Sequence, residues 1–223
     1  MAKPQSVQDE RGARRPPPRL YLVTPVIEDA AAFISVLRDA VGGTDVAAVL
    51  LRLKSAGERD LINRIKILAP IAQQKDSALL LDGQAEIAAR GGADGAHLTG
   101  IEAFLTAVEG LKPARIAGCG GMSSRDDAML AGERGADYVM FGEPKPDGYR
   151  PSFETIIERI EWWAELFTVP CVGFVAGSHE IGPLVAAGAD FIAVGDSIWS
   201  DPRGAAAALA EASRQLAAPE PAA

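Results

Sequence analysis

The stretch Gly91-Gly92-Ala93-Asp94-Gly95-Ala96-His97-Leu98 decides the fold. Its core phrase recurs in Gly135-Ala136-Asp137-Tyr138-Val139-Met140-Phe141-Gly142 and in Gly188-Ala189-Asp190-Phe191-Ile192-Ala193-Val194-Gly195. Each copy has a helix end, then Gly-Ala-Asp, then a short apolar run. Gly closes a helix well because the left-handed turn there penalises a Cβ. Asp suits the turn, since its carboxylate can accept nearby backbone N–H groups. A run of four or five apolar residues suits a strand buried on both faces, as parallel strands are. Each copy therefore reads as a helix-to-strand joint, and a repeated joint implies a repeated βα unit.

Outward from the joints, the pattern fills in. Strands are expected at Leu20-Tyr21-Leu22-Val23-Thr24 (closed by Pro25), at residues 47–53, at Ala78-Leu79-Leu80-Leu81-Asp82 and at Ala96-His97-Leu98. Four more are expected at residues 115–119, 138–141, 170–175 and 191–194. Helical patterns fall between them, at 29–41, 58–74, 84–90, 101–110, 124–134, 153–167, 179–187 and 201–217. Ser124 and Ser152 are N-caps, with acids in the first turns behind them. Pro202 is expected in the first turn of the last helix, where a missing N–H costs least. Strict alternation implies parallel strands. Eight units in one domain imply a closed (β/α)8 TIM barrel over residues 19–217. The competing architecture is an open doubly wound sheet, but no glycine-rich dinucleotide fingerprint follows the first strand.

The chain has 223 residues and a net charge of −8, with 48% hydrophobic and 23% charged residues. That is ordinary for one globular α/β domain. The acidic balance argues against a nucleic-acid surface, because basic residues cluster only at Arg11, Arg14, Arg15 and Arg19. Cys119 and Cys171 form no disulfide framework and no zinc spacing; they read as buried thiols of a reducing cytoplasm. Residues 1–18, with Pro16-Pro17-Pro18, and residues 218–223 are expected to be disordered, dispensable tails. No apolar run has the length of a membrane span, and no secretory signal opens the chain.

Barrel chemistry gathers at the C-terminal ends of the strands. Arg52 and Lys54, separated by one residue after the second strand, are expected to point to one face and so to suit a diphosphate. The plainer alternative is a pair of solvated strand-end charges. Asp82 ends the third strand and Glu102 follows the fourth. Two carboxylates from neighbouring strand ends can share one Mg²⁺. Glu102 reads equally well as a first-turn helix acid. His97 fits a hydrogen-bonded core residue better than a ligand, and His179 fits the surface. Of the adjacent Trp162 and Trp163, one should pack in the core.

These residues carry a family resemblance. Residues 20 to about 198 resemble thiamine phosphate synthase, a (β/α)8 barrel. The resemblance rests on Leu20-Tyr21-Leu22-Val23-Thr24, Leu51-Arg52-Leu53-Lys54, Ala93-Asp94-Gly95-Ala96-His97-Leu98, Gly135-Ala136-Asp137-Tyr138 and Gly188-Ala189-Asp190. It implies a Mg²⁺-dependent transferase that joins a hydroxymethylpyrimidine diphosphate to a thiazole phosphate and releases pyrophosphate. It implies Arg52 and Lys54 on the diphosphate and Asp82 and Glu102 on the metal, the latter one methylene longer than the family's aspartate. Lys145 would be the catalytic lysine of the loop after strand six. His97, Gly120, Gly177, Gly195 and Asp196 would border the substrates, a homo-oligomer being compatible with the pattern.

The sequence also departs from that family. Leu50 and Leu81 replace a glutamine and an asparagine. Gly120 stands where a serine is expected. The loop Gly142-Glu143-Pro144-Lys145-Pro146-Asp147-Gly148-Tyr149-Arg150 lacks threonine. Val175-Ala176 replace a glycine pair, with Gly177 one step late. Asp196 replaces a phosphate-binding serine, so weak thiazole phosphate binding and weak synthase turnover are expected. Two alternatives stay open: a binding or regulatory barrel without activity, and a thiazole tautomerase. The tautomerase's histidine would fall near Met122, where there is none.

Overall fold

The computed structural model describes residues 16–145 and 148–217. Of the expected tails at 1–18 and 218–223, residues 1–15 and 218–223 lie outside the described residues. In chain order the elements are β1 (Arg19–Ile27), α1 (Ala30–Gly42), β2 (Val46–Leu53), α2 (Glu58–Ala72), β3 (Ala78–Asp82), α3 (Ala85–Gly91), β4 (Gly95–Thr99) and α4 (Ile101–Leu111). They continue as β5 (Ile116–Gly120), α5 (Arg125–Glu133), β6 (Tyr138–Phe141), α6 (Phe153–Leu166), β7 (Cys171–Phe174), α7 (Ile181–Ala186), β8 (Phe191–Val194), α8 (Asp196–Trp199) and α9 (Ala205–Ala217). The strands close on themselves in sequence order, with β1 paired to both β2 and β8, all parallel. The fold is the (β/α)8 barrel, not the open sheet.

The Gly-Ala-Asp joints show why the sequence closes this way. Gly92, Gly135 and Gly188 all take left-handed φ, at 85°, 90° and 95°. Each aspartate then clamps the strand before its own. Asp94 donates its N–H to the Leu79 carbonyl at 2.8 Å and accepts the Leu79 N–H on Oδ2 at 2.7 Å. Asp137 makes the same two bonds with Ala117, and Asp190 makes them with Cys171. One residue type thus ties β4 to β3, β6 to β5 and β8 to β7 at the N-terminal rim.

Two apolar layers follow from the strand alternation. One packs the outer strand faces against the helices, around Leu22, Val49, Leu79, Phe104, Ile160 and Trp163. The other fills the barrel, with Tyr21, Val23, Leu50, Leu80, Tyr138, Met140, Val172 and Ala193. Gly118 is a glycine because Tyr138 needs the space: a Cβ there would meet the Tyr138 ring at 2.0 Å. Trp163 is the buried member of the tryptophan pair, donating to the Val169 carbonyl at 2.7 Å. Cys119 and Cys171 are buried thiols without a disulfide.

Several boundaries shift from the sequence reading, and two of the shifts have a local cause. β1 does not stop at Pro25 but runs to Ile27. The ladder with β2 shifts register between Val23 and Val26, so the missing proline N–H falls where pairing is already interrupted. The last helix does not begin at residue 201. A short helix, α8, follows β8, and Asp201 then accepts from the Arg203 backbone and side chain in a turn. Gly204, with φ of 92°, follows that turn, so Pro202 lies before α9 rather than in its first turn.

Candidate functional site

The C-terminal ends of the strands enclose a cavity of about 140 Å³. Val23, Leu50, Met140 and Phe174 give it apolar walls, and Arg52, Asp82, His97, Glu143 and Asp196 line it with charge. A larger, open hollow of about 590 Å³ lies at the other end of the barrel, beside Asp94, Asp137, Lys112 and Arg115. There Asp94 and Asp137 are committed to strand N–H groups, so the smaller cavity is the one with groups left to act.

Arg52 enters through β2. Its backbone N–H is held by the Thr24 hydroxyl at 3.0 Å, and Thr24 is fully buried. Its Nε faces Asp82 Oδ2 at 3.7 Å, an ion pair too long to be a direct hydrogen bond. Asp82 ends β3. Burial pushes its carboxyl up, Glu143 adds to that, and His97 and Arg52 pull against it; the net shift is upward. Lys54 does not share the cavity with Arg52. It is exposed and paired with Glu28, from the turn after β1.

His97 is buried on β4, as its core reading expected, and both ring nitrogens are engaged. Nδ1 lies 2.9 Å from the Tyr138 hydroxyl, which lies 2.8 Å from the Tyr21 hydroxyl. Nε2 lies 2.9 Å from Glu143 Oε2. The four side chains form one buried line through the barrel, ending at the cavity in a carboxylate. Burial opposes a charge on His97, but Glu143 by charge and hydrogen bond, and Asp82 by charge, outweigh it and raise its pKa.

Sequence reasoning missed Glu143. The signal was present, as a carboxylate directly after the Gly142 that follows strand six, but Lys145 drew the attention in that loop. Lys145 instead hydrogen-bonds the Ser123 hydroxyl at 3.1 Å and lies over the Tyr149 ring at 5.8 Å, bridging the loops after β5 and β6. Arg150 was missed too. It donates to the Gly142 and Phe174 carbonyls and, bidentately, to Glu180 at 2.9 and 2.7 Å. That clamp fixes the loop that carries Glu143.

The remaining expected residues scatter. Glu102 is exposed in the first turn of α4, outside the cavity lining among the described residues. Gly120 ends β5 and abuts Glu143: a Cβ there would lie 2.4 Å from Glu143 Oε1. Gly177 precedes the 3-10 turn Ser178–Glu180, beside the exposed His179. Gly195 precedes α8, and Asp196 opens that helix on the cavity wall.

Among the described residues no three His, Cys, Asp or Glu side chains could hold a metal by themselves. Mg²⁺ ordinarily needs no such cage, taking one or two carboxylates plus substrate phosphate oxygens. Asp82 beside Arg52 fits that donor set. No helix among the described residues is long and apolar enough to cross a membrane.

Comparison with known proteins agrees with this geometry. The family model described as thiamine monophosphate synthase matches residues 20–198. A thiamine-phosphate synthase of Rhodospirillum centenum is 41% identical over 89% of this chain and 97% of its own. One of Hyphomonas neptunium is 38% identical over 87% of this chain and 92% of its own. The solved thiamine phosphate pyrophosphorylase from Pyrococcus furiosus superposes with a TM-score of 0.73 at 24% identity, covering 89% of this chain and 95% of that one. These relatives favour a transferase over the non-catalytic barrel and the tautomerase.

Proposed function

Because the chain belongs to the thiamine monophosphate synthase family, we propose that it joins a hydroxymethylpyrimidine diphosphate to a thiazole phosphate and releases pyrophosphate. The observation that carries this is the cavity at the strand ends, where one arginine and one half-buried carboxylate meet between apolar walls. In the reaction the bond from the pyrimidine methylene to the diphosphate oxygen breaks, and the diphosphate leaves with the electron pair. The thiazole nitrogen then supplies the pair for the new C–N bond. No strong base is required. Arg52 takes up charge developing on the leaving group, and fixed charges of this kind are most effective in an enclosed site. Lys54 lies two residues on, outside the cavity lining, and would reach the diphosphate by leaving Glu28 for it. Val23, Leu50, Met140 and Phe174 keep water from the electron-poor methylene. Asp82 would hold a Mg²⁺ together with the diphosphate oxygens, with Glu102, exposed in the first turn of α4 outside the cavity lining, as an outer second carboxylate. A Mg²⁺ held there would supply positive charge to the leaving diphosphate.

The test is product formation. Purified protein, both substrates and Mg²⁺ should give thiamine phosphate and pyrophosphate in equal amounts. Pyrophosphate without thiamine phosphate would point to hydrolysis, and no product at any substrate concentration would reject the reading.

A further inference from the structure

In (β/α)8 barrels a phosphate is commonly held by the loops after strands seven and eight, with the N-terminus of a short extra helix beside it. Here both places already hold a carboxylate. In the loop after β7, Glu180 is buried and turns its carboxylate onto the loop's own donors. Its Oε2 accepts the Ala176 N–H at 2.7 Å, and Arg150 donates to both of its oxygens. Burial would push this carboxyl up, but Arg150 and the Ala176 N–H outweigh it and lower its pKa, so the loop carries its own anion. After β8 the short helix is α8, and its first residue is Asp196. Asp196 is exposed on the cavity wall, and its carboxylate has no hydrogen-bond or ion-pair partner among the described residues.

The charge around it is one-sided. The cavity sets Arg52 against Asp82, Glu143 and Asp196, with His97 tied to Glu143. The cations of the neighbouring loops are taken: Lys145 by the Ser123 hydroxyl, Arg150 by Glu180, Arg203 by Asp201. A diphosphate at Arg52 uses the arginine of the cavity. A second anionic group would then meet Asp196 with no cation beside it to offset the repulsion. A hydroxyl does the opposite. An ionised carboxylate is an acceptor only, and a hydroxyl supplies the donor it lacks.

We infer that the second substrate of the proposed reaction is an azole with an uncharged hydroxyl tail, taken in preference to its phosphate, and that Asp196 determines this choice by accepting the hydroxyl's hydrogen bond. That choice rests on the transferase reading above and narrows its second substrate: thiazole phosphate reacts, but only at high concentration. The azole nitrogen supplies the electron pair for the new C–N bond, the diphosphate leaves with the pair of the broken C–O bond, and the hydroxyl keeps its proton. The ring becomes cationic in that step, and the carboxylates that repel a phosphate stabilise the new charge.

The experiment holds the pyrimidine diphosphate and Mg²⁺ constant and measures kcat/KM for the thiazole alcohol and for thiazole phosphate, with each product identified by its mass. The unaltered protein should favour the alcohol at least tenfold at low salt. That ratio should shrink as ionic strength rises, because repulsion between exposed charges is screened. Asp196→Asn, of the same size and uncharged, should cut the ratio at least tenfold. No preference, a preference for the phosphate, or a ratio unmoved by Asp196→Asn or by salt overturns the inference and leaves the transferase reading standing. If pyrophosphate binds and neither azole forms a product, the transferase reading fails and the inference with it.

Discussion

Arg52 Nε stands 3.7 Å from Asp82 Oδ2, on the ends of two neighbouring strands. The pair is close enough for charge to matter and too far apart to be satisfied by itself. A ligand that brings both anionic oxygens and a cation completes it: phosphate oxygens for Arg52, a metal for Asp82. This relationship sets the first two predictions.

Arg52→Ala should weaken pyrophosphate binding in Mg²⁺ by about 1.5–3 kcal/mol, the cost of one charged hydrogen bond. Lys54→Ala should weaken it less, because Lys54 is exposed and must first leave Glu28. Titration calorimetry on the two variants checks both the size and the order. Unchanged affinity in Arg52→Ala would place the anion elsewhere.

Mg²⁺ should bind weakly to the free protein and tightly only with diphosphate present. Asp82→Asn should remove most of that Mg²⁺-dependent gain. Glu102→Gln should remove a smaller part, since Glu102 is exposed in the first turn of α4. Tight Mg²⁺ binding without diphosphate would contradict the shared site.

Stability should depend on pH through His97. Its folded pKa is raised above the ordinary 6.5. The contribution is therefore fully present below about 6.5 and is lost as pH rises through the higher folded value. Melting temperatures between pH 6 and 9 should fall more steeply for the unaltered protein than for Glu143→Gln, which lacks the charge that raises His97. Parallel curves would show that the pair does not titrate in that range.

The fold was legible in the sequence because its determinants are local. Gly92, Gly135 and Gly188 need a left-handed turn, and the aspartate two residues on needs a strand N–H to accept. Both requirements repeat at fixed spacing. The candidate site was legible only where its lining residues sit on a strand end, as with Arg52 and Asp82. Lys54 escaped the alternation rule because Glu28, distant in sequence, draws it aside. Glu143 and Arg150 lie in an irregular loop, where no periodicity says which way a side chain turns. The Tyr21–Tyr138–His97 line needed the barrel closed before its members could meet.

The joints carry a stability prediction. Asp94 Oδ2 is the acceptor for the N–H of Leu79, a fully buried residue. Asp94→Ala leaves that donor unpaired and should cost about 1–3 kcal/mol. Denaturant unfolding followed by circular dichroism checks it, and a loss well under 1 kcal/mol would mean that water replaces the carboxylate.

Asp196 opens α8 on the cavity wall, at the position where the family resemblance implies the phosphate of the second substrate. A like charge about 4 Å away costs about 4 kcal/mol at an effective dielectric of 20. Affinity for thiazole phosphate should be low in the unaltered protein. Asp196→Ser should raise it at least tenfold, about 1.4 kcal/mol. No gain would show that the phosphate approaches from another side.

The central claim is that the diphosphate is held at the Arg52–Asp82 end of the cavity. A crystal structure with pyrophosphate and Mg²⁺ tests it most directly. The account predicts the anion within hydrogen-bonding distance of Arg52, with the metal between it and Asp82. Pyrophosphate bound instead at the loops after β7 and β8, with Arg52 and Asp82 untouched, would contradict it.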